Sequence, residues 1–406
     1  MKVDPDAAGL DARRLERITE HLTTRYIEPQ KIAGCQTVVA RHGAVGYHSS
    51  LGSMDLERAK PVAEDTMWRI YSMTKPITGV ALMTLYERGH FQLNDPVHRF
   101  LPEWRDLKVK VTEGGASHLV DPDRPMTVRD ALMHMTGLGW GHDGPLVTEQ
   151  FLEAMAKVRG GPNGTLQTMV ENLADKPLVF SPGTHWLYGL STDVCGRLVE
   201  VMSGRRFDDY LQDEIFGPLQ MHSTGFSVQD SEIGRLAASY GRRADKTLKL
   251  IDDPERSAYR RQPSFLSGGG GLVSTTEDYL RFSQMLLNGG ELDGARILGR
   301  KTVELMTINH LPGGGALEQF ALPGGYGETG FDGVGFGLTM AVGLGQAETQ
   351  SIGSANDFYW GGAASTIFWV DPVEDLIVVF MTQLMPSGTF NFRGQLKSLV
   401  YPAIVD

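Results

Sequence analysis

Apolar positions near the start of the chain recur at helical spacing: Leu15, Ile18, Leu22 and Tyr26 fall on one face. The spacing predicts a helix over residues 8–27. Asp11 is placed to cap it, with Leu10 and Leu15 as a hydrophobic staple, and Pro29 stops it. The pattern then shortens into two strand-like runs, 35–41 and 44–50, joined across His42-Gly43 as a hairpin. Over 76–88 the apolar character runs nearly all round, which predicts a buried helix. Pro76 suits its first turn and Gly89 its C-terminal stop. From 96 to 260 helix starts alternate with loops rich in Gly, Pro and Asp. Thr127 with Asp130 caps a start before 131–135, and 150–158, 165–174, 191–202 and 207–216 also read as helices. Strand signals return at 365–370 and 376–382, separated by the turn-forming Asp371-Pro372-Val373-Glu374-Asp375. Residues 394–404 read as a last helix.

Strands at both ends with helices between them predict an α+β fold. One antiparallel sheet is built from N- and C-terminal strands and flanked by helices. The expected division is an α/β domain from 1–95 and 261–406, with 96–260 a mostly helical inserted domain. The length of 406 residues suits two to three domains or one with an inserted lobe. Hydrophobic residues at 41% and charged residues at 21% exclude a disordered or fibrous chain. Glycine, 49 of 406, exceeds the usual share of about 7% without any three-residue period, so the excess belongs to turns. The run Gly268–Gly271 reads as a flexible turn, since no GxxxxGK[ST] follows it.

The net charge of −11, with no dense Lys/Arg run and Arg242-Arg243 and Arg260-Arg261 as short pairs, argues against a nucleic-acid partner. The two cysteines, Cys35 and Cys195, stand outside any CxxC and read as small buried apolar residues. No HExxH or paired Cys/His spacing suggests a metal, and no GxGxxG follows a strand, so no cofactor is expected. The first residues lack an apolar signal core. No run of about 18 apolar residues suggests a membrane span. The expected location is cytoplasmic, with no membrane partner.

The strongest chemical signal is Tyr71-Ser72-Met73-Thr74-Lys75-Pro76, a Ser-x-x-Lys at the start of a helix. Residues three apart face the same side of a helix, so Ser72 and Lys75 can meet locally. A serine hydroxyl needs a neighbour to accept its proton, and a lysine does this once burial lowers its pKa. Free N–H groups at a helix start favour an oxyanion.

Around this motif the chain resembles the serine β-lactamase-like superfamily, and within it the family VIII carboxylesterases, whose fold is similar to class C β-lactamases and penicillin-binding proteins. Ser72-Met73-Thr74-Lys75 matches the first motif of that group. Trp186-Leu187-Tyr188-Gly189-Leu190-Ser191-Thr192-Asp193 resembles the segment carrying its catalytic tyrosine, which maps to Tyr188. His134-Met135-Thr136-Gly137-Leu138 is similar to its His-x-[Ser/Thr]-Gly-Leu turn, and 267–275 to a glycine-rich stretch of the esterases. Trp360-Gly361-Gly362-Ala363 stands where β-lactamases carry Lys-Thr-Gly and the esterases often carry Trp-Gly-Gly.

The resemblance implies a carboxylesterase that cleaves small-molecule esters, by analogy of short acyl chain, through a covalent acyl-enzyme on Ser72. Lys75 and Tyr188 would share the proton, and as a coupled pair neither is singled out as the base. Backbone N–H groups of Ser72 and Ala363 would form the oxyanion hole, or Gly362 if the frame shifts by one. Trp360, with Gly361 and Gly362, would wall the substrate pocket in place of a cation. Two departures from class C β-lactamases, Leu190 for the Asn of Tyr-x-Asn and the missing Lys-Thr-Gly lysine, remove groups that grip a β-lactam. The competing readings are an acyltransferase using the same acyl-enzyme, a weak β-lactamase or D-amino peptidase, and a catalytically silent binding protein on the same fold. No GxSxG elbow is present, and His134, His185 and His310 read as structural.

Overall fold

The computed structural model describes residues 1–139, 155–156, 158 and 164–406. Eight strands form the main sheet: β1 Gly34–Arg41, β2 Ala44–Asp55, β3 Lys60–Pro61, β4 Val334–Phe336, β5 Ala341–Gly343, β6 Phe358–Gly361, β7 Ile367–Asp371 and β8 Leu376–Thr382. Their order is β4-β5-β6-β7-β8-β1-β2-β3. The two ends of the chain meet where β1 pairs antiparallel with β8, from Cys35 opposite Thr382 to Arg41 opposite Leu376. This is the antiparallel sheet of N- and C-terminal strands expected of the α+β fold.

The helices that matter for the site and the sheet are α1 Ala12–Leu22, α2 Thr74–Glu87, α3 Val128–Met133, α4 Ser191–Ser203, α5 Thr276–Leu287 and α6 Phe392–Val400. Every residue of β1 and β8 is buried because helices cover both faces of the sheet. Side-chain alternation makes this explicit. Phe368 on β7 lies opposite Val379, and its ring meets Tyr279 of α5 at 5.0 Å. The next residue along β8, Phe380, points to the other face and meets Phe392 of α6 at 4.9 Å.

Local chemistry sets the helix ends. The Asp11 carboxylate accepts from the N–H groups of Arg13 and Arg14, so α1 begins at its cap rather than at residue 8. Helix α2 begins at Thr74, two residues before Pro76, and Thr74–Leu85 are all buried. Gly89 follows with φ +77°, the left-handed geometry that ends a helix cheaply. The expected helix at 150–158 lies outside the described residues apart from positions 155, 156 and 158.

The region 96–260, expected to be mostly helical, also carries strands that its sequence pattern does not suggest. Val109–Glu113 pairs with Ala116–Val120, turning on Gly114 and Gly115 with φ +58° and +84°. Two consecutive positive φ values are what a two-residue hairpin requires. Ser239–Arg242 pairs with Leu248–Asp252 and takes Leu384–Met385 as a parallel neighbour on its other edge, a partner far away in sequence. Among the described residues no helix is long and apolar enough to cross a membrane.

Candidate active site

A short 3₁₀ turn, Tyr71–Met73, leads into α2. Tyr71 takes φ +42°, a left-handed conformation costly for a residue with a side chain. It presents Ser72 at the mouth of the helix, where the first N–H groups have no intrahelical acceptor. The Ser72 side chain opens on a cavity of about 640 Å³, also lined by Lys75, Tyr188, Glu328 and Ala363.

Lys75 lies one turn further on and is buried. Its Nζ donates to Ser72 Oγ at 3.2 Å and to the Gly269 carbonyl at 2.6 Å, and it sits 4.5 Å from the centre of the Tyr188 ring. Burial pushes its pKa down to about 8, against the opposing pull of the Asp193 and Glu328 carboxylates. A neutral amine beside the serine hydroxyl is a competent proton acceptor.

Gly268–Gly271 is a packed turn, not a flexible one. A Cβ on Gly268 would come within 2.8 Å of the Thr192 carbonyl oxygen, and one on Gly269 within 2.9 Å of Asp193 Oδ2. Asp193, in the first turn of α4, accepts from Ser267 Oγ at 2.6 Å and from the Gly269 N–H at 3.0 Å through Oδ1. The same residue, Gly269, therefore ties Asp193 on its N–H side to Lys75 on its carbonyl side.

Tyr188 precedes α4 on a segment clamped by His134, the residue that ends α3 with φ +59°. The His134 carbonyl accepts from Leu187 N–H at 2.9 Å, and its Nδ1 accepts from Gly189 N–H at 3.4 Å. Nε2 then carries the proton and donates to Thr192 Oγ1 at 3.2 Å. Burial, and after it Lys75, holds the imidazole well below its usual pKa, so it stays neutral. The Tyr188 hydroxyl accepts from Trp360 Nε1–H at 3.3 Å and is hydrogen-bonded to Ser72. Burial, reinforced by Glu328, raises its pKa well above the usual phenol value. The phenol therefore keeps its proton.

The structure brings Ser72, Lys75, Tyr188 and Ala363 to one cavity. Among the described residues the Ala363 N–H has no acceptor; the Gly362 N–H is taken by the Thr366 carbonyl at 2.8 Å. Trp360, Gly361 and Gly362 do not line the cavity. Trp360 is fully buried behind Tyr188, with ring centres 5.4 Å apart, and its contact with the site is the hydrogen bond to the phenol. Cys35 and Cys195 are buried, and burial raises both thiols above their usual range.

Three polar residues near the site were not singled out for chemistry from sequence. Asp193 and Glu328 are carboxylates whose burial is a tertiary property, with no local spacing signal. Arg393 donates to the Trp360 carbonyl at 3.0 Å and to the Glu328 carbonyl at 3.4 Å. It thus places a cation beside Trp360, turned onto backbone oxygens and away from the cavity wall.

Comparison with known proteins extends this picture. Residues 18–400 match the Beta-lactamase family. The chain is 32% identical over 360 residues to Protein Rv1367c of Mycobacterium tuberculosis (strain ATCC 25618 / H37Rv), covering 88% of this chain and 87% of that protein. It is 29% identical over 411 residues to Esterase EstB of Burkholderia gladioli, covering 95% of each. Among solved structures, EstCE1, a hydrolase with promiscuous acyltransferase activity, matches with a TM-score of 0.78 at 25% identity, covering 97% of this chain and 99% of that one.

Proposed function

Since the chain belongs to the Beta-lactamase family, we propose that it is a carboxylesterase, a serine hydrolase that works through a covalent acyl-enzyme on Ser72. The observation that carries this reading is the meeting of Ser72 Oγ, the depressed amine of Lys75 and the Tyr188 phenol at the wall of one largely apolar cavity. The similarity to Esterase EstB supports ester cleavage as the reaction.

In this mechanism neutral Lys75 takes the Ser72 proton as Oγ bonds to the ester carbonyl carbon. The N–H groups of Ser72 and Ala363 hold the oxyanion. The carbon–alkoxide bond breaks, Tyr188 gives its proton to the departing alcohol, and Lys75 returns a proton to Tyr188. Water then attacks the acyl-enzyme and passes its proton to the same pair, which delivers it to Ser72 Oγ as the acyl carbon–Oγ bond breaks and the carboxylic acid leaves. Lys75 is assigned as the base because its pKa lies near neutrality while that of the phenol lies far above. Trp360 acts as a positioning residue for Tyr188. Residues 1–95 and 261–406 would form the domain that carries the nucleophile, and 96–260 the inserted one that carries Tyr188.

Among the described residues the cavity wall carries no cation besides Lys75, so none of them offers a second cation to a β-lactam carboxylate. Acyl transfer to an alcohol is the second reading, favoured by the likeness to EstCE1. It is separated from hydrolysis by measuring product partition with added alcohol. The test of the main reading is p-nitrophenyl butyrate hydrolysis by Ser72→Ala. Loss of a covalent nucleophile should lower kcat by at least about a thousandfold; retention of a tenth of the rate or more would assign the chemistry elsewhere.

A further inference from the structure

The cavity contains a charge that the proposed mechanism does not use. Among the described residues its wall carries two charged side chains, Lys75 and Glu328. Lys75 becomes neutral above about pH 8, which among the described residues leaves Glu328, whose pKa burial raises, as the charge facing the substrate at alkaline pH. The Glu328 carboxylate faces the hydrogen-bonded pair of Tyr326 and Ser387 hydroxyls, and Lys75 and Arg393 act on it through space. The Arg393 guanidinium is turned to two backbone carbonyls and to the face of Tyr359, 4.4 Å from the ring centre.

Glu328 is flanked by aromatic surface. The Tyr326 and Tyr188 rings stand 5.9 Å apart, centre to centre, and Tyr71, Phe226, Tyr259 and Phe265 line the rest of the space. A carboxylate with no ion-pair partner among the described residues, set among π faces in a cavity large enough for a drug-sized ligand, favours a cationic guest and disfavours an anionic one. The Tyr188 side of the cavity is the side on which the alcohol departs. Glu328 lines the same cavity as Tyr188 and stands by Tyr326, whose ring neighbours that of Tyr188, so the carboxylate borders the alcohol portion of the ester.

Building on the esterase reading, we propose that Glu328, with the ring of Tyr326, selects esters whose alcohol portion carries an ammonium group. The test compares butyrylcholine with 3,3-dimethylbutyl butyrate, in which a neutral carbon replaces the charged nitrogen at the same shape. At about pH 9, where most Lys75 is neutral, kcat/KM should favour the choline ester by about tenfold or more, the scale of one well-placed cation–π and charge contact. In Glu328→Gln the ratio should fall to within about threefold of unity. A wild-type ratio at or below one would overturn the proposal. So would a ratio unchanged in Glu328→Gln, or no turnover of either ester by protein that hydrolyses p-nitrophenyl butyrate. Failure to hydrolyse p-nitrophenyl butyrate as well would overturn the esterase reading itself, and this inference with it.

Discussion

At the residue scale the chemistry turns on a lysine kept from its usual charge. With the Lys75 pKa pushed down to about 8 by burial, the neutral, proton-accepting form grows as pH rises. The kcat/KM profile should therefore climb with pH and level off above about 8. Asp193 opposes that depression, so Asp193→Asn should move the rising limb to lower pH. A limb that stays in place, measured as full pH–rate profiles of the two proteins, would detach Asp193 from Lys75. Tyr188→Phe keeps the packed ring and removes the proton. It should cut kcat by about 10²–10⁴-fold, the usual contribution of a positioned acid or base, with the far-UV circular dichroism unchanged. Near-normal turnover would reduce Tyr188 to packing. Ser72 and Lys75 were legible in the sequence because their relation is local, three positions apart across the entry to α2. Tyr188 carried no such signal and was reached through resemblance alone. Trp360 was expected at the substrate wall, but an aromatic at a strand end serves equally well behind the wall, and its indole N–H is turned to the phenol.

Among the elements, the turn 268–271 shows most clearly how backbone holds the site. It is wedged between Thr78 on α2 and the first turn of α4: the Thr78 hydroxyl donates to the Gly268 carbonyl at 2.8 Å, and Asp193 holds the Gly269 N–H. Gly268→Ala would bring a Cβ within 2.8 Å of the Thr192 carbonyl oxygen, backbone that cannot swing away. Overpacking of this kind costs about 1–3 kcal/mol. Displacement of the turn would carry the Gly269 carbonyl away from Lys75. Thermal melts should show a lower midpoint, and kcat should fall at least about tenfold because a small misplacement in an active site is expensive. An unchanged kcat would mean that the turn does not set the position of the amine. The elements themselves were legible where burial is continuous, as in α2 and β8, or where a cap is local, as with Asp11 and Thr127. The two hairpins inside 96–260 carry weak local signals for different reasons. The first lies largely exposed, so hydrophobic alternation does not mark it, although Gly114-Gly115 was a usable turn signal. The second depends on the distant edge at 384–385.

For the whole molecule, the site carries a cost in stability. Lys75 has a folded pKa of about 8 against the ordinary lysine value of 10.5. The unfolded chain therefore binds more protons between those values, and the contribution of Lys75 to stability rises with pH across that window. Replacing the amine by an apolar side chain of similar length removes the penalty. Lys75→Met should exceed the wild type in urea midpoint below pH 8, and the gap should narrow towards pH 10.5. A gap independent of pH would show that the amine is solvated. The sheet that frames the site closes only when β1 meets β8, nearly the full chain length apart, and strands at both ends of the sequence foretold that closure without its register. The central claim, a covalent intermediate on one serine, is tested most directly by mass spectrometry of protein acid-quenched during turnover of p-nitrophenyl butyrate. The account predicts one added butyryl group, mapped to the peptide containing Ser72 and absent in Ser72→Ala. A butyryl group on another residue, or the same adduct persisting in Ser72→Ala, would contradict it.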